Sequence, residues 1–227
     1  MDRLNRDQIA WRAAQDLPAG GYVNLGLGMP VLAANYAPVD REFMFQTENG
    51  IVGVGPVASE NEADPDLVDA GSQKVTLKPG ATLSESAMAF AMIRGGHIDV
   101  TMLGGFQVAA NGDLANWDAM IPNQGKLVGG AMDLAVGAKT VWVTMAHTTR
   151  DGEARLVERC SYPLTAMGVV KRIYTDLAVV EVTPDGFLVR EILEGLSRDE
   201  LQAKTGAPLA FAEDCGALTA PDLSSSR

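Results

Sequence analysis

The chain has 227 residues, 47% of them hydrophobic and 21% charged, a size and balance that suit one large globular domain or two small ones, able to bury a core. Its formal net charge of −11 argues against nucleic acid as a partner, because phosphate backbones are held by basic patches. No run approaches the roughly 18 apolar residues of a membrane helix. The charged amphipathic start MDRLNRDQIAWRAAQDL is not a signal peptide, so a cytoplasmic location is expected.

In chain order, Ile9, Ala13 and Leu17 recur at helical spacing, and Pro18-Ala-Gly-Gly ends that helix. Tyr22-Val-Asn-Leu is a short strand running into Gly26-Leu-Gly28-Met-Pro30. The proline can start a helix over Val31 to Tyr36. Glu42 to Gln46 is the next strand. The acidic stretch Ser59 to Asp69 reads as a solvated loop. Thr82-Leu-Ser-Glu85 fits a capping box ahead of a helix through Ala87 to Arg94. Strands are predicted over Ile98 to Leu103, Lys139 to Ala146 and Leu177 to Val182, with Asp185-Gly186 turning into Phe187 to Ile192 as a hairpin. Ser197 and Glu200 form a second capping box for a short helix closed by Gly206. Strand–helix alternation with apolar strands predicts one α/β domain over residues 1–212, an open and largely parallel sheet flanked by helices. Residues 213–227 are expected as a flexible tail.

Cys160 and Cys215 stand alone, without CxxC spacing, and read as plain buried thiols. His97 and His147 form no ligand-spaced set, so no metal is expected. Four segments share one pattern, an apolar strand followed by glycines: NLGLGMP, TENGIVGVGP, MLGGFQ and VGGAMDL. Any one of them is a tight turn. Four together point to a shared ligand edge at the carboxyl ends of the strands. The dinucleotide fingerprint is incomplete and GxxxxGK[ST] is absent.

Within the second segment Glu48 puts a carboxylate at an apolar strand's end. It is either a structural ion pair or turn residue, or a nucleophile. No Ser-His-Asp, GxSxG or metal set offers another nucleophile. A glutamate attacking an acyl group would form an oxyanion, which neighbouring glycine N–H groups could hold. It would have to stay anionic, with backbone N–H groups and Asn49 as the expected counterweight to burial.

The ordered set YVNLGLGMP, QTENGIVGVGP, RGGHIDVTMLGGFQV, ANGDLANW, VGGAMDLAVGA and RIYTDLAVVEVTPDG resembles the beta subunit of 3-oxoacid CoA-transferases, from about Leu4 to about Leu209. The resemblance implies a CoA-transferase fold of the NagB-like kind. It also implies a glutamate nucleophile that takes CoA from an acyl-CoA as a glutamyl thioester and passes it to a carboxylate. Carried onto this sequence, the nucleophile is Glu48, with Thr47 where the family has serine. Gly129 or Gly130 matches the oxyanion segment. Gly26, Gly28, Asn49, Gly104, Gly105 and Gln107 match substrate-side loops. Asn116 and Trp117 match a stretch that can be packing only, and His97 is expected to satisfy a backbone group. CoA enters as substrate, with no permanently bound cofactor. The implied partner is a homologous alpha subunit, in a hetero-oligomer expected as a heterotetramer. The closing RIYTDLAVVEVTPDG is similar to 3-oxoadipate-type members, which favours succinyl-CoA and 3-oxoadipate, with acetoacetate next. Lys126, Arg150 and Lys171 are candidate cations for a second carboxylate. The competing readings are an acyl-CoA hydrolase on the same site, a sugar-phosphate isomerase or ligand-sensing domain of similar fold, and a non-catalytic subunit.

Overall fold

The structure is a computed structural model; it describes residues 3–38, 40–120, 125–126 and 128–223. Helix α1 (Arg6–Gln15) begins with an Asn5–Gln8 capping box and buries Ile9, Ala10, Ala13 and Ala14. Then follow β1 (Tyr22–Leu25), a 3-10 helix over Pro30–Tyr36, β2 (Met44–Gln46), β3 (Ile51–Val57) and β4 (Val75–Leu83). Helix α2 (Ser86–Arg94) leads to β5 (Val100–Gly104), and β6 (Gln107–Ala109) and β7 (Leu114–Ala115) follow. After α3 (Ala131–Gly137) come β8 (Thr140–Thr144), β9 (Leu156–Val157), β10 (Val170–Tyr174), β11 (Ala178–Thr183) and β12 (Gly186–Leu193). The short α4 (Arg198–Gln202) and β13 (Leu209–Leu218) complete the order.

Ten strands form one sheet in the order β13-β12-β11-β10-β8-β5-β1-β2-β3-β4. Its centre, β10 to β2, is parallel. On one side β3 is antiparallel to both β2 and β4. On the other, β11 is antiparallel to both β10 and β12. Strands β7, β6 and β9 make a small second sheet. The central strands are apolar because helices cover both their faces. From β1 the chain winds one way to β2, and from β5 the other way to β8. Right-handed crossovers then put the 3-10 helix on one face and α3 on the other. The ligand edge of such a sheet lies at the carboxyl ends of β1, β2 and β5, where the winding reverses.

Several expectations change. Thr82 does not cap a helix: it pairs with Val52 inside β4, and α2 starts at Ser86, its N-cap residue Glu85 making no side-chain cap bond. GIVGVGP is not a run of turns but strand β3, with register shifts on either side of Val54. Bulged strands near an edge tolerate glycine and proline, which hid this one. Residues 213–218 do not belong to a tail. They sit in β13, paired in parallel with β12, and Leu218 is buried. Residues 224–227 lie outside the described residues. The acidic stretch is anchored rather than merely solvated, since buried Asp69 accepts from the Gly71 and Gln73 N–H groups, each at 2.8 Å. The Ser197–Glu200 capping box forms as predicted.

His97 is exposed; the buried histidine is His147. Its ring lies 3.0 Å from Thr175 Oγ1 and 2.9 Å from Thr205 Oγ1, tying the end of β8 to the β10–β11 turn and the end of α4. Burial, only partly offset by Asp176, lowers its pKa to about 4. In the unfolded chain the ring titrates near 6.5, so below that pH the unfolded state binds the extra proton. Stability is therefore complete above about pH 6.5 and falls as pH drops toward 4, by up to about 3 kcal/mol. His147→Gln should flatten this acid limb, as read from urea midpoints between pH 7 and 4.

Candidate active site

Glu48 stands in the turn joining β2 to β3. The Thr47 N–H donates to the Ile51 carbonyl at 2.8 Å, and the Gly50 N–H to the Thr47 carbonyl at 3.1 Å. Thr47 Oγ1 accepts from the Ile51 N–H at 3.2 Å, so the hydroxyl that replaces the family's serine still closes the turn. Gly50 takes φ +123°, and a methyl there would run into the Ser84 carbonyl; this crossing requires glycine.

The half-buried Glu48 carboxylate lies against Gly130, the residue before α3. A methyl on Gly130 would overlap Glu48 Oε2 and stand 3.0 Å from both Glu48 Cδ and Phe90 Cζ. Burial raises the Glu48 pKa above its ordinary value, and the nearby Asp133 carboxylate adds to the shift. Asp133 is itself held by Arg94 Nε at 2.7 Å. Asn49 does not serve as the counterweight: its Nδ2 donates to the Val68 carbonyl at 2.8 Å, fastening the acidic loop to this turn.

Across β2, β1 and β5 runs a polar row that sequence reasoning missed. Asn24 pairs in register with Gln46 on one side and Thr101 on the other, so the three share a face of the sheet. Asn24 Nδ2 donates to Gln46 Oε1 at 2.7 Å. Gln46 Nε2 and Thr101 Oγ1, both buried, have no hydrogen-bond partner among the described residues. Such groups cost stability, on the order of 1–3 kcal/mol each, and Gln46 is the last residue of β2, two before Glu48. Only the pairing of β1 with β2 and β5 reveals the row.

The other predicted residues divide. Gly28 has φ +89° in the open loop after β1, and Gly104 leaves free space above its Cα. A methyl on Gly129 would meet open space, whereas one on Gly130 would meet Glu48, so Gly130 is the glycine that lies against the carboxylate. Gly26 serves close strand packing, its N–H donating to the Met102 carbonyl at 2.8 Å. Gly105 packs under Val143 and Met145. Gln107 Oε1 is taken by the Ser161 N–H at 2.8 Å, which fixes a loop. Asn116 Nδ2 holds the Gly104 carbonyl at 3.0 Å, and Trp117 Nε1 donates to the Leu164 carbonyl. Lys126 pairs with Asp118 at 3.2 Å, while Arg150 and Lys171 are exposed. Cys160 and Cys215 are half-buried rather than buried. Burial pushes the Cys160 thiol up to about 11, which leaves it a poor nucleophile. Among the described residues no His, Cys, Asp and Glu cluster could hold a metal, and no helix is long and apolar enough to cross a membrane.

The geometry thus brings a carboxylate and the glycine that opens a helix together at the edge where open α/β sheets bind their ligands. Residues 6–204 match the coenzyme A transferase family, and the chain belongs to it. It is 51% identical over 207 residues to one subunit of the 3-oxoadipate CoA-transferase of Acinetobacter baylyi, covering 91% of this chain and 95% of that protein. It is 48% identical over 203 residues to the corresponding subunit of the succinyl-CoA:3-ketoacid coenzyme A transferase of Helicobacter pylori, covering 89% and 97%. Among solved structures, the acyl-CoA transferase YdiF of Escherichia coli O157:H7, in a thioester complex with CoA, superposes with a TM-score of 0.74 at 18% identity. That match covers 96% of this chain and 44% of the YdiF chain.

Proposed function

We propose that this chain is the glutamate-bearing subunit of a transferase that moves CoA between succinyl-CoA and a 3-oxoacid, with 3-oxoadipate the favoured acceptor and acetoacetate next. The observation that carries the reading is the Glu48 carboxylate lodged against Gly130 at the ligand edge of the sheet. A carboxylate oxygen attacks the thioester carbonyl, and the C–S bond breaks. This gives an acyl-glutamyl anhydride and CoA thiolate. The thiolate attacks the glutamyl carbonyl and expels the acyl carboxylate, leaving CoA on Glu48 as a thioester. An incoming 3-oxoacid carboxylate runs the two steps in reverse, so atoms and charge balance throughout. The oxyanion is held by the backbone N–H of Gly130 or of its neighbour Gly129, a reading supported by the closeness of Gly130 to the Glu48 carboxylate. Anhydride and thioester both hydrolyse, which favours a site closed from water.

A homologous alpha subunit in a hetero-oligomer, taken as a heterotetramer, supplies the missing walls. Exposed apolar side chains on the two helices beside Glu48, Met88 on α2 and Met132 and Val136 on α3, support such a partner. The names of the bacterial relatives, each one subunit of a larger enzyme, support it further. The 3-oxoadipate preference rests on likeness to the Acinetobacter protein. The test is to mix both subunits with succinyl-CoA and digest at once. A CoA-sized mass on the peptide holding Glu48 is expected. Exchange that proceeds with the adduct on another residue overturns the assignment.

A further inference from the structure

Burial and the charge of Asp133 act on the Glu48 carboxylate, and no hydrogen bond among the described residues reaches it. Its place against Gly130 is therefore set by what holds its neighbours in the turn. On one side the Gly50 carbonyl accepts from the Ser84 N–H at 2.9 Å and from Ser84 Oγ at 3.2 Å, just ahead of α2. On the other, Asn49 Nδ2 donates at 2.8 Å to the carbonyl of Val68, nineteen residues further along the chain. Val68 belongs to a small hairpin closed on itself. It bridges Lys74 in antiparallel fashion, the Asp69 N–H donates to the Gln73 carbonyl at 2.9 Å, and the Val75 N–H donates to the Leu67 carbonyl at 3.2 Å. Inside it the buried Asp69 carboxylate gathers the Gly71 and Gln73 N–H groups. Ser72 stands at φ +63°, a left-handed conformation uncommon outside glycine, with its N–H on the Asp69 carbonyl at 3.0 Å. Gly71 lies against Leu27 in the loop after β1, where a methyl would stand 3.1 Å from Leu27 Cδ2. The hairpin is thus a self-ordered block braced on the loop after β1 and bonded to the turn that carries Glu48.

The position of Asn49 in the turn gives that one bond its weight. The Thr47–Ile51 and Gly50–Thr47 bonds close the turn on itself and leave its tip, Glu48 and Asn49, to hinge on the strands. The Ser84 anchor lies beyond Gly50, whose backbone is the most permissive in the turn. Asn49 is on the near side of that pivot, and its Cα is about 3.8 Å from that of Glu48 across a single peptide. We propose that Asn49 is a positioning residue: by way of the Val68 carbonyl it seats the tip of the turn on the hairpin ordered by Asp69, and so keeps Glu48 at Gly130. The proposal rests on the CoA-transfer reading above, and names the residues that hold its nucleophile. Asn49 does this without touching substrate. A nucleophile displaced by about 1 Å loses on the order of a hundredfold in rate, while substrate binding made elsewhere is untouched. The signature is a lower kcat at unchanged KM.

The test uses the reconstituted two-subunit enzyme with succinyl-CoA and 3-oxoadipate. Asn49 is exposed, so Asn49→Ala should fold. It should lower kcat about tenfold or more, with both KM values within about twofold of wild type. Asp69→Asn keeps the side chain's shape but removes the charge that gathers two N–H groups, and should lower kcat in the same manner. In the double variant the two losses should not multiply, because both act through one hairpin. Glu48 is half-buried and faces Asp133, which is paired with Arg94. Loosened from that place it regains water, so the acid limb of the kcat/KM profile should move to lower pH in Asn49→Ala. A drop in thermal midpoint with that limb and kcat unmoved would make Asn49 merely structural and overturn the proposal. So would a KM raised for one substrate with losses that multiply in the double variant, which would make Asn49 a substrate contact. If wild type forms no CoA adduct on Glu48, the chemical reading fails. If the adduct forms, and forms as fast in Asn49→Ala as in wild type, only the positioning assignment falls.

Discussion

Glu48→Ala and Glu48→Gln should each reduce CoA exchange by more than about a thousandfold, the scale seen when a covalent nucleophile is removed. No acyl or CoA adduct should form on either. The fold should survive, because Glu48 is half-buried and takes no hydrogen bond or ion pair from the described residues. The sign of the stability change separates a nucleophile from a structural carboxylate. Burial and Asp133 raise the Glu48 pKa, so the unfolded chain releases that proton more readily than the folded one. Above the ordinary glutamate range this ionisation favours unfolding, and at pH 7 Glu48→Gln should hold or raise the thermal midpoint. A structural ion pair predicts the opposite, a drop. Exchange by wild type should also fall as pH descends through the raised pKa, because only the anion attacks. Near-normal exchange by Glu48→Gln would remove the basis of the mechanism.

The second large effect is expected at Gly130. Its φ of −72° suits any residue, so Gly130→Ala introduces no backbone strain. The added methyl nevertheless takes the place of Glu48 Oε2 and crowds Phe90. The carboxylate must move, and a misplacement of about 1 Å costs on the order of a hundredfold in rate. Gly130→Ala should therefore lose about a hundredfold or more in kcat/KM with little change in thermal midpoint. Gly129→Ala meets open space and keeps its N–H, so it should stay within about threefold of wild type. Comparing the pair decides which glycine the nucleophile depends on. Equal, mild effects would mean that the carboxylate leaves Gly130 in the assembled enzyme.

What could be read from the sequence is what depends on short-range chemistry. Helical spacing marked α1 and the capping at Ser197 marked α4, and apolar runs marked β5, β8 and β11. Glu48 itself was visible, since a charge at the end of an apolar strand is locally anomalous. The reading failed where pairing overrides local signals. Glycine and proline in the bulged β3, Thr82 with its capping-box spacing, and the tail that became β13 all have their state set by a partner strand distant in sequence.

The site divides along the same line. Sequence supplied the candidate nucleophile, and through likeness to a family the reaction proposed for it. Tertiary structure alone chose Gly130 over Gly129, released Asn49 to the acidic loop and exposed the Asn24–Gln46–Thr101 row. The reason is physical. Residue type and spacing fix what a side chain can do, but burial and proximity depend on crossovers of many residues, and those decide which groups share water, charge and reach.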